Sequence, residues 1–577
     1  MLCQASCYVK DQCRASAVAH GAQISDPFIA IDFGTAFSGY SFQFRGSNQN
    51  RQVKWSSEFS YGTQKTPTCI LFDENGKFLS FGYEAVMMYT RQTPRKDAQR
   101  LYYFDNFKME LYGKELHRDL MITAKNKKQM RALKVFSESL KFMKDHALET
   151  VGKHAEGMEF SASDATWVLT VPAIWSPAAK QFMREAATEI AGFLEGDLKE
   201  GEKIEDTLGT QYMVVDCGGG TIDITVHEVV DGGHLKELHK VSGNNMGGQK
   251  VDKNLSSFLR EIFSDKVFDE FEGNHPNELQ RLMFDFSLCK QTLDKNVFIQ
   301  CPVNLQEIAK REQDMEDYFS GISGAEWRSG SILLTQQKMR SLHDDSLRGI
   351  ERLIRDILRE PKLKIRYLFL VGGFALSTHV NSFVRQKFGS QCKVLCPVDA
   401  QLAVLKGAVE FGMTPSVVES RISLFTYGVL TGVEFNESKH RGKSSFVNKD
   451  GVKFCDVCFL CLVTKDESVR HDEVRKFSFS PADRDQIAML FDFYCTESKC
   501  AKFVDEPGMR NIGSFRVSMP DIRRGKSRSV RLEVKFGFTE MMATATDIDS
   551  GETSSVKLDF MTDKSSVLRK KPFISAN

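Results

Sequence analysis

Residues 212–223 read YMVVDCGGGTID. A short apolar run without polar alternation is what a strand buried on both faces requires. The three glycines after it let the backbone turn tightly and bring N–H groups within reach of phosphate oxygens. Asp216, at the end of that strand, offers a hard oxygen to Mg2+, directly or through water, and Thr221 adds a hydroxyl. The stretch therefore reads as a buried strand running into a phosphate-binding turn.

Two other stretches share this build. FIAIDFGTA at 28–36 places Asp32 before Gly34, Thr35 and Ala36. YLFLVGGF at 367–374 ends in Gly372 and Gly373. A fourth apolar run, TWVLTVP at 166–172, has no glycines. Helical spacing of Val135, Phe136, Leu140, Met143 and Leu148 predicts a helix near 134–148. Ser176-Pro177 predicts another helix start, with an N-cap hydroxyl and Pro at the first helical position. Strands alternating with helices from Phe28 to about Pro415 give an α/β class. Loops built on Asp, Gly and Thr from two halves of one domain can grip a triphosphate from both sides. The plainer alternative is a set of tight turns in a parallel sheet.

From about Ile422 the pattern becomes all-β. In SVRLEVKFGF, Val530, Leu532, Val534, Phe536 and Phe538 share one face, with Arg531, Glu533 and Lys535 on the other. MMATATDIDSGETSSVKLDF reads as two strands joined at Asp549-Ser550-Gly551. Residues 1–27 and 563–577 read as disordered tails, and the basic cluster Arg569–Lys571 as solvated.

The 577 residues carry 77 Lys plus Arg and 76 Asp plus Glu, a net charge of +1. Such a chain has no global field for nucleic acid or an anionic membrane. No run of about 18 apolar residues occurs, so no membrane span is expected. The N-terminus lacks the apolar stretch of a signal peptide. Fourteen scattered cysteines suit reduced thiols in a cytoplasmic or nucleocytoplasmic protein. Cys217 reads as a plain buried thiol rather than a redox sensor. Cys455, Cys458 and Cys461, with Cys495 and Cys500 downstream, invite a zinc reading. Strand alternation opposes it, putting Cys455 and Cys461 on one face and Cys458 on the other.

The three loops resemble the phosphate-1, phosphate-2 and adenosine motifs of the actin, hexokinase and 70-kDa heat-shock protein superfamily. WVLTVPAIW followed by SPAAKQFMREAA, the loop Gly243–Gly248 ending with Val251 and Asp252, and Ala403–Val409 resemble heat-shock segments. Lys65-Thr66-Pro67-Thr68, Phe107-Lys108-Met109, VPAIW and FGFTEMMATATDIDSG are similar to the atypical heat-shock 70 kDa protein 12 family. The resemblance covers roughly 28–562. It implies a two-lobed actin-like nucleotide-binding domain at 28–415, with lobe I about 28–194 plus 390–415 and lobe II about 211–389. A β-rich substrate-binding-like domain at 422–562 follows.

The resemblance also implies ATP or ADP with Mg2+ as cofactors. Asp32, Gly34, Thr35 and Ala36 then hold the β- and γ-phosphates, with Asp32 near the Mg2+ shell. Gly218, Gly219, Gly220 and Thr221 form the opposite loop, Asp216 orients metal-bound or attacking water, and Asp223 adds a further carboxylate. Gly247 and Gly248 approach the phosphate or ribose side, Lys290 lies beside base and ribose, and Gly372 and Gly373 pack against adenosine. Lys108 is the lysine that reaches the γ-phosphate, its alternative being a solvated lysine on a polar turn.

The chain departs from the family in three places. Only EGDLKEGEKIEDTLGT (195–210) stands where the family has a Glu-Pro segment whose glutamate orders water and metal. Gln291 replaces a usual Arg, and KSSVLRKKPFISAN replaces a helical lid and acidic tail. The expected function is a nucleotide-dependent conformational switch with weak or no hydrolysis, serving protein clients or signalling partners. A nucleotide-independent scaffold and a small-molecule kinase of the same superfold are the alternatives.

Overall fold

The computed structural model describes residues 5–10, 26–47, 49–55, 63–91, 99–155, 157–190, 208–291, 295–470, 473–536 and 541–561. The chain divides into two units: 1–226 with 241–415, and 227–240 with 416–577.

The first unit is mixed α/β. One sheet runs in the order Ala5–Lys10, Thr166–Thr170, Pro27–Phe33, Phe37–Phe44, Arg51–Gln52. Its central pair is parallel, with Leu169 opposite Ile31 and Thr170 opposite Asp32. Ala5–Lys10 pairs antiparallel with Thr166–Thr170, so this part of the expected N-terminal tail is an edge strand. The helix Ala132–His154 contains the expected 134–148 and continues beyond it, with Val135, Phe136, Leu140, Met143, Ala147 and Val151 all buried. The helix Ala403–Met413 lies close enough that a Cβ on Gly412 would be 2.8 Å from Val168 Cγ2.

A second sheet in this unit contains, in order, Lys393–Leu395, Ile365–Val371 and Gln211–Cys217, followed by the 222–226 part of Ile222–Val230. The first three are parallel, with Asp216 opposite Val371. Tyr212, Met213, Val214 and Val215 are all buried, as their apolar run requires.

Helix Pro177–Glu185 starts where expected: Ser176 Oγ accepts the Ala179 N–H at 3.2 Å, and Pro177 takes the first turn. Ser176→Ala should weaken this cap by about 1 kcal/mol. Faster hydrogen exchange at the Ala179 amide checks this, and unchanged protection there refutes it. The expected replacement of the Glu-Pro segment falls largely on residues 191–207, outside the described residues.

In the second unit, strands Ser445–Val447, Lys453–Val463, Thr426–Glu434, Ala488–Thr496 and Arg510–Ser518 form one antiparallel sheet. Val474–Phe479, Val530–Phe536, Met541–Asp547 and Thr553–Lys557 form another. Val530, Leu532, Val534 and Phe536 are buried as the alternation requires, packing with Val429, Phe491, Phe493 and Ile512. Phe538, expected on the same face, lies outside the described residues. The turn at Asp549-Ser550-Gly551 joins the last two strands, with Gly551 at φ +77°. Among the described residues no helix is long and apolar enough to cross a membrane.

Candidate functional site

Asp32 and Asp216 sit at the C-terminal ends of Pro27–Phe33 and Gln211–Cys217. Ligands of open α/β sheets gather at such strand ends, where the chain turns and glycine loops expose backbone N–H groups. Thr170 Oγ1, from the neighbouring parallel strand, donates to Asp32 Oδ1 at 2.6 Å. Lys65 Nζ donates to Asp32 Oδ2 at 2.5 Å. Burial pushes the Asp32 carboxyl up, but the Lys65 charge and the hydrogen bonds from Lys65 and Thr170 hold it below its usual value.

Lys108 lies in the 3-10 turn Phe107–Leu111 and is only 3% exposed. It is therefore an interior lysine, not a solvated one on a polar turn. Its ammonium donates to the Phe33 carbonyl and stands 5.1 Å from the Trp175 ring centre. Burial lowers its pKa to about 8, against the opposing pull of Asp32, Asp223 and Asp216.

Asp216 is driven the other way. Burial, then the charges of Asp223 and Asp32, raise its pKa to about 7. Asp223 accepts from Thr221 Oγ1 at 2.7 Å and from the Ile174 N–H at 3.0 Å, tying the VPAIW loop to the glycine turn. Burial raises Asp223 despite both bonds. Cys217 is buried beside the loop, and burial and then Asp216 push its thiol well above the ordinary range.

The loops around these acids are built by close approach. Gly247 N–H donates to Gly220 O at 3.3 Å, Gly248 N–H to Gly218 O at 3.0 Å and Gln249 N–H to Gly219 O at 2.8 Å. Those bonds stitch the glycine turn to the start of helix Gly248–Asn274. They also occupy the N–H groups of Gly247 and Gly248, which leaves phosphate contact to other donors. A Cβ on Gly219 would stand 2.7 Å from Ala36 Cβ, and one on Gly220 would stand 2.7 Å from Thr35 Oγ1. The two phosphate-type loops therefore touch, and a triphosphate between them requires them to part. Gly34 is equally confined, since a Cβ there would collide with the Phe37 carbonyl oxygen.

Gly372 has φ +89°, and a Cβ there would collide with Asp216 Oδ1. Gly373 opens on free space, while Gly248 faces the Phe374 ring. Lys290 Nζ bonds both Asp252 oxygens, at 2.6 and 2.7 Å, and Gly248 O at 3.0 Å. Burial raises Asp252 even with Lys290 beside it.

The structure thus gathers Asp32, Thr35, Ala36, Lys108, Asp216, Gly218–Thr221 and Asp223 around one spot and sets Gly372 against Asp216. Lys290 is tied to the 248–274 helix through Asp252. Lys65 and Thr170 belong to the cluster, although the sequence does not mark them as site residues. KTPT stands out only as a family signature, and Thr170 only as part of a buried strand. Three carboxylates stand beside two ammonium groups, and burial, then the charges of Asp223 and Asp32, keep Asp216 raised. This donor set of hard oxygens fits Mg2+.

The family described as Hsp70 protein matches residues 60–416. The chain is 32% identical over 619 aligned positions to heat shock 70 kDa protein 12A of Homo sapiens, covering 92% of this chain and 91% of that protein. It is 30% identical over 625 positions to heat shock 70 kDa protein 12B of Homo sapiens, with the same coverage. Against chaperone protein DnaK of Nitrosopumilus maritimus it is 27% identical over 308 positions, covering 50% of this chain and 44% of that protein.

Proposed function

The chain belongs to the Hsp70 family, in the branch of the heat shock 70 kDa protein 12 relatives, and on that premise we propose that it is an ATP-binding conformational switch with weak or no turnover. The observation that supports this reading is the group of buried Lys108 and Asp223 with half-buried Asp32, Lys65 and Asp216 beside two glycine loops. When bound, Mg-ATP supplies a divalent charge and a phosphoanhydride. Asp32 and Asp216 face that charge and orient the water around it. Lys108 meets the γ-phosphate, while Gly219, Gly220 and Thr35 receive the phosphate chain. Gly373 leaves room on the adenosine side, while Gly372 stays packed against Asp216.

Slow turnover follows from how these groups are committed. Asp32 is held by Lys65 and Thr170, and Asp223 by Thr221 and Ile174. Asp216 remains to orient an attacking water, yet near neutral pH it is only partly ionised. The sequence offers no Glu-Pro glutamate to help it. Phosphoryl transfer rests on positioning and electrostatics, and both are reduced here.

In this reading 28–415 closes in two lobes on the nucleotide, and the β-rich region at 422–562 engages protein clients or signalling partners. ATP drives the switch only by binding the closed state more tightly than the open one. A nucleotide-independent scaffold is the second reading. It is favoured by Lys65 on Asp32 and by the contact of Gly219 with Ala36, since both must give way to phosphate.

Calorimetric titration of the full chain with Mg-ATP, followed by single-turnover phosphate release, separates the two. Saturable binding with little or no phosphate release is the expected result. No heat, together with unchanged melting at millimolar Mg-ATP, would establish the scaffold.

A further inference from the structure

Strand alternation places the two cysteines of a C-x-x-C stretch on opposite faces. The strand Lys453–Val463 escapes that rule. Cys455 pairs with Val433 and Cys458 with Thr431, so three steps on this strand match two on its partner. The extra residue is a β-bulge at 456–457, and it turns Cys458 to the side of Cys455. Both thiols are buried, at 0% and 7% exposure, while Cys461 is exposed. The reading from alternation alone is therefore corrected for this pair. A neighbouring segment supports the bulge: Phe459 N–H donates to Lys502 O at 2.8 Å and Val504 N–H to Val457 O at 2.9 Å.

His440 ends the short helix Glu437–His440 and is buried against the edges of Phe435 and Phe503, with ring centres 5.5 and 6.0 Å away. Its Nε2 stands 3.9 Å from Cys458 Sγ. The ligand atoms of His440, Cys455 and Cys458 all lie within 4.8 Å of one another. Cys495, buried in the sheet core, and the exposed Cys500 are not part of this group.

We propose that His440, Cys455 and Cys458 form a binding site for a thiophilic divalent ion of the Zn2+ type, created by the bulge in the strand Lys453–Val463. Two sulfurs and an imidazole are the mixed soft set that zinc takes. Zn–S bonds of about 2.3 Å and a Zn–N bond of about 2.0 Å put tetrahedral ligand atoms roughly 3.5–3.8 Å apart. From separations within 4.8 Å, each pair therefore closes by about 1.3 Å at most. Three protein ligands leave the fourth position to water or to an incoming group.

The second nitrogen of the ring sets a condition. Asn436 N–H donates to His440 Nδ1 at 3.0 Å, which keeps the ring proton on Nε2, facing Cys458. Ligation through Nε2 moves that proton to Nδ1 and releases the Asn436 bond. Ion binding is thereby coupled to the turn at 436–440.

The test uses the full chain purified under anaerobic, chelator-free conditions, with metal content measured by atomic emission after dialysis. About one zinc per chain is expected. It should be lost in Cys455→Ser/Cys458→Ser and in His440→Gln, and kept in Cys461→Ser and Cys500→Ser. Because buried substitutions can unfold the unit, Co2+ replacement in the unaltered chain gives a second readout. Thiolate-to-cobalt charge-transfer bands with a tetrahedral ligand-field spectrum support the site. Absence of zinc with no uptake of added Zn2+ or Co2+ overturns the proposal. So does a cobalt spectrum without thiolate bands, equal metal loss in Cys461→Ser or Cys500→Ser, or a Cys455–Cys458 disulfide in the anaerobic protein.

Discussion

Replacing Lys108 by Met should weaken Mg-ATP binding about 30- to 100-fold while making the nucleotide-free chain more stable. The two effects come from one cause. A charge-assisted hydrogen bond to a phosphate oxygen is worth about 1.5–3 kcal/mol, and Met cannot make it. In the absence of nucleotide the same ammonium is a burden, because burial lowers its pKa from 10.5 to about 8. A shift of that size corresponds to about 3 kcal/mol of penalty on the charged form at neutral pH. The value of about 8 already includes the pull of Asp32, Asp223 and Asp216, but Met leaves the buried Phe33 carbonyl without its donor, so a net gain of about 1 kcal/mol is the expectation. ADP affinity should change several-fold less than ATP affinity, because the lost contact is to the γ-phosphate.

The sign with pH is fixed as well. Between pH 8 and 10.5 the folded wild type has released a proton that the unfolded chain still holds, so Lys108 makes stability rise across that window. Lys108→Met should lack this rise. Calorimetry with ATP and ADP, alongside urea unfolding at pH 7 and pH 10, reads all three quantities. Equal losses for ATP and ADP, or a destabilised variant, would show that Lys108 is a structural cation rather than a phosphate ligand.

Part of this site is legible in the amino-acid sequence, for physical reasons. Buried parallel strands have to be continuously apolar, and loops that let a backbone approach phosphate have to be rich in glycine. Tyr212–Thr221 and Phe28–Ala36 therefore announce their conformation, buried strands running into tight turns. The pairing of Lys65 with Asp32 is not legible. It spans 33 residues and rests on tertiary packing, and a lysine in a polar Thr-Pro stretch carries no periodic signal. The helix Ala132–His154 runs past its expected end because Val151 is buried and tertiary packing carries it through Gly152. The convergence of Cys455 and Cys458 is hidden for a sharper reason. A bulge changes the face of every residue beyond it, yet leaves an ordinary β-rich sequence behind. Ala5–Lys10 shows the same blindness at an edge, where pairing alone supports a strand among residues otherwise read as a tail.

Nucleotide affinity should peak between pH 7 and 8 and fall on both sides, by up to about tenfold per pH unit away from that window. The acid limb belongs to Asp216. Burial, Asp223 and Asp32 hold its pKa at about 7, so below neutrality its proton has to leave before it can face a divalent charge. The alkaline limb belongs to Lys108, which loses its charge above about 8 unless phosphate holds the proton in place. Titration near pH 6.5 in two buffers of different ionisation enthalpy should therefore show proton release on binding. Asp216→Asn should abolish that release and flatten the acid limb while lowering affinity overall. Stability supplies an independent sign. Between pH 3.8 and about 7 folded Asp216 keeps a proton that the unfolded chain has lost. Its contribution is thus complete below pH 3.8 and disappears as pH rises through 7. Asp216→Asn should overtake the wild type in nucleotide-free stability over that range, by about 2–4 kcal/mol at pH 8. An acid limb that persists in Asp216→Asn would assign the titration to another carboxylate of the cluster. If the two proteins instead kept parallel stabilities from pH 4 to 8, Asp216 would be ionised in the folded chain throughout.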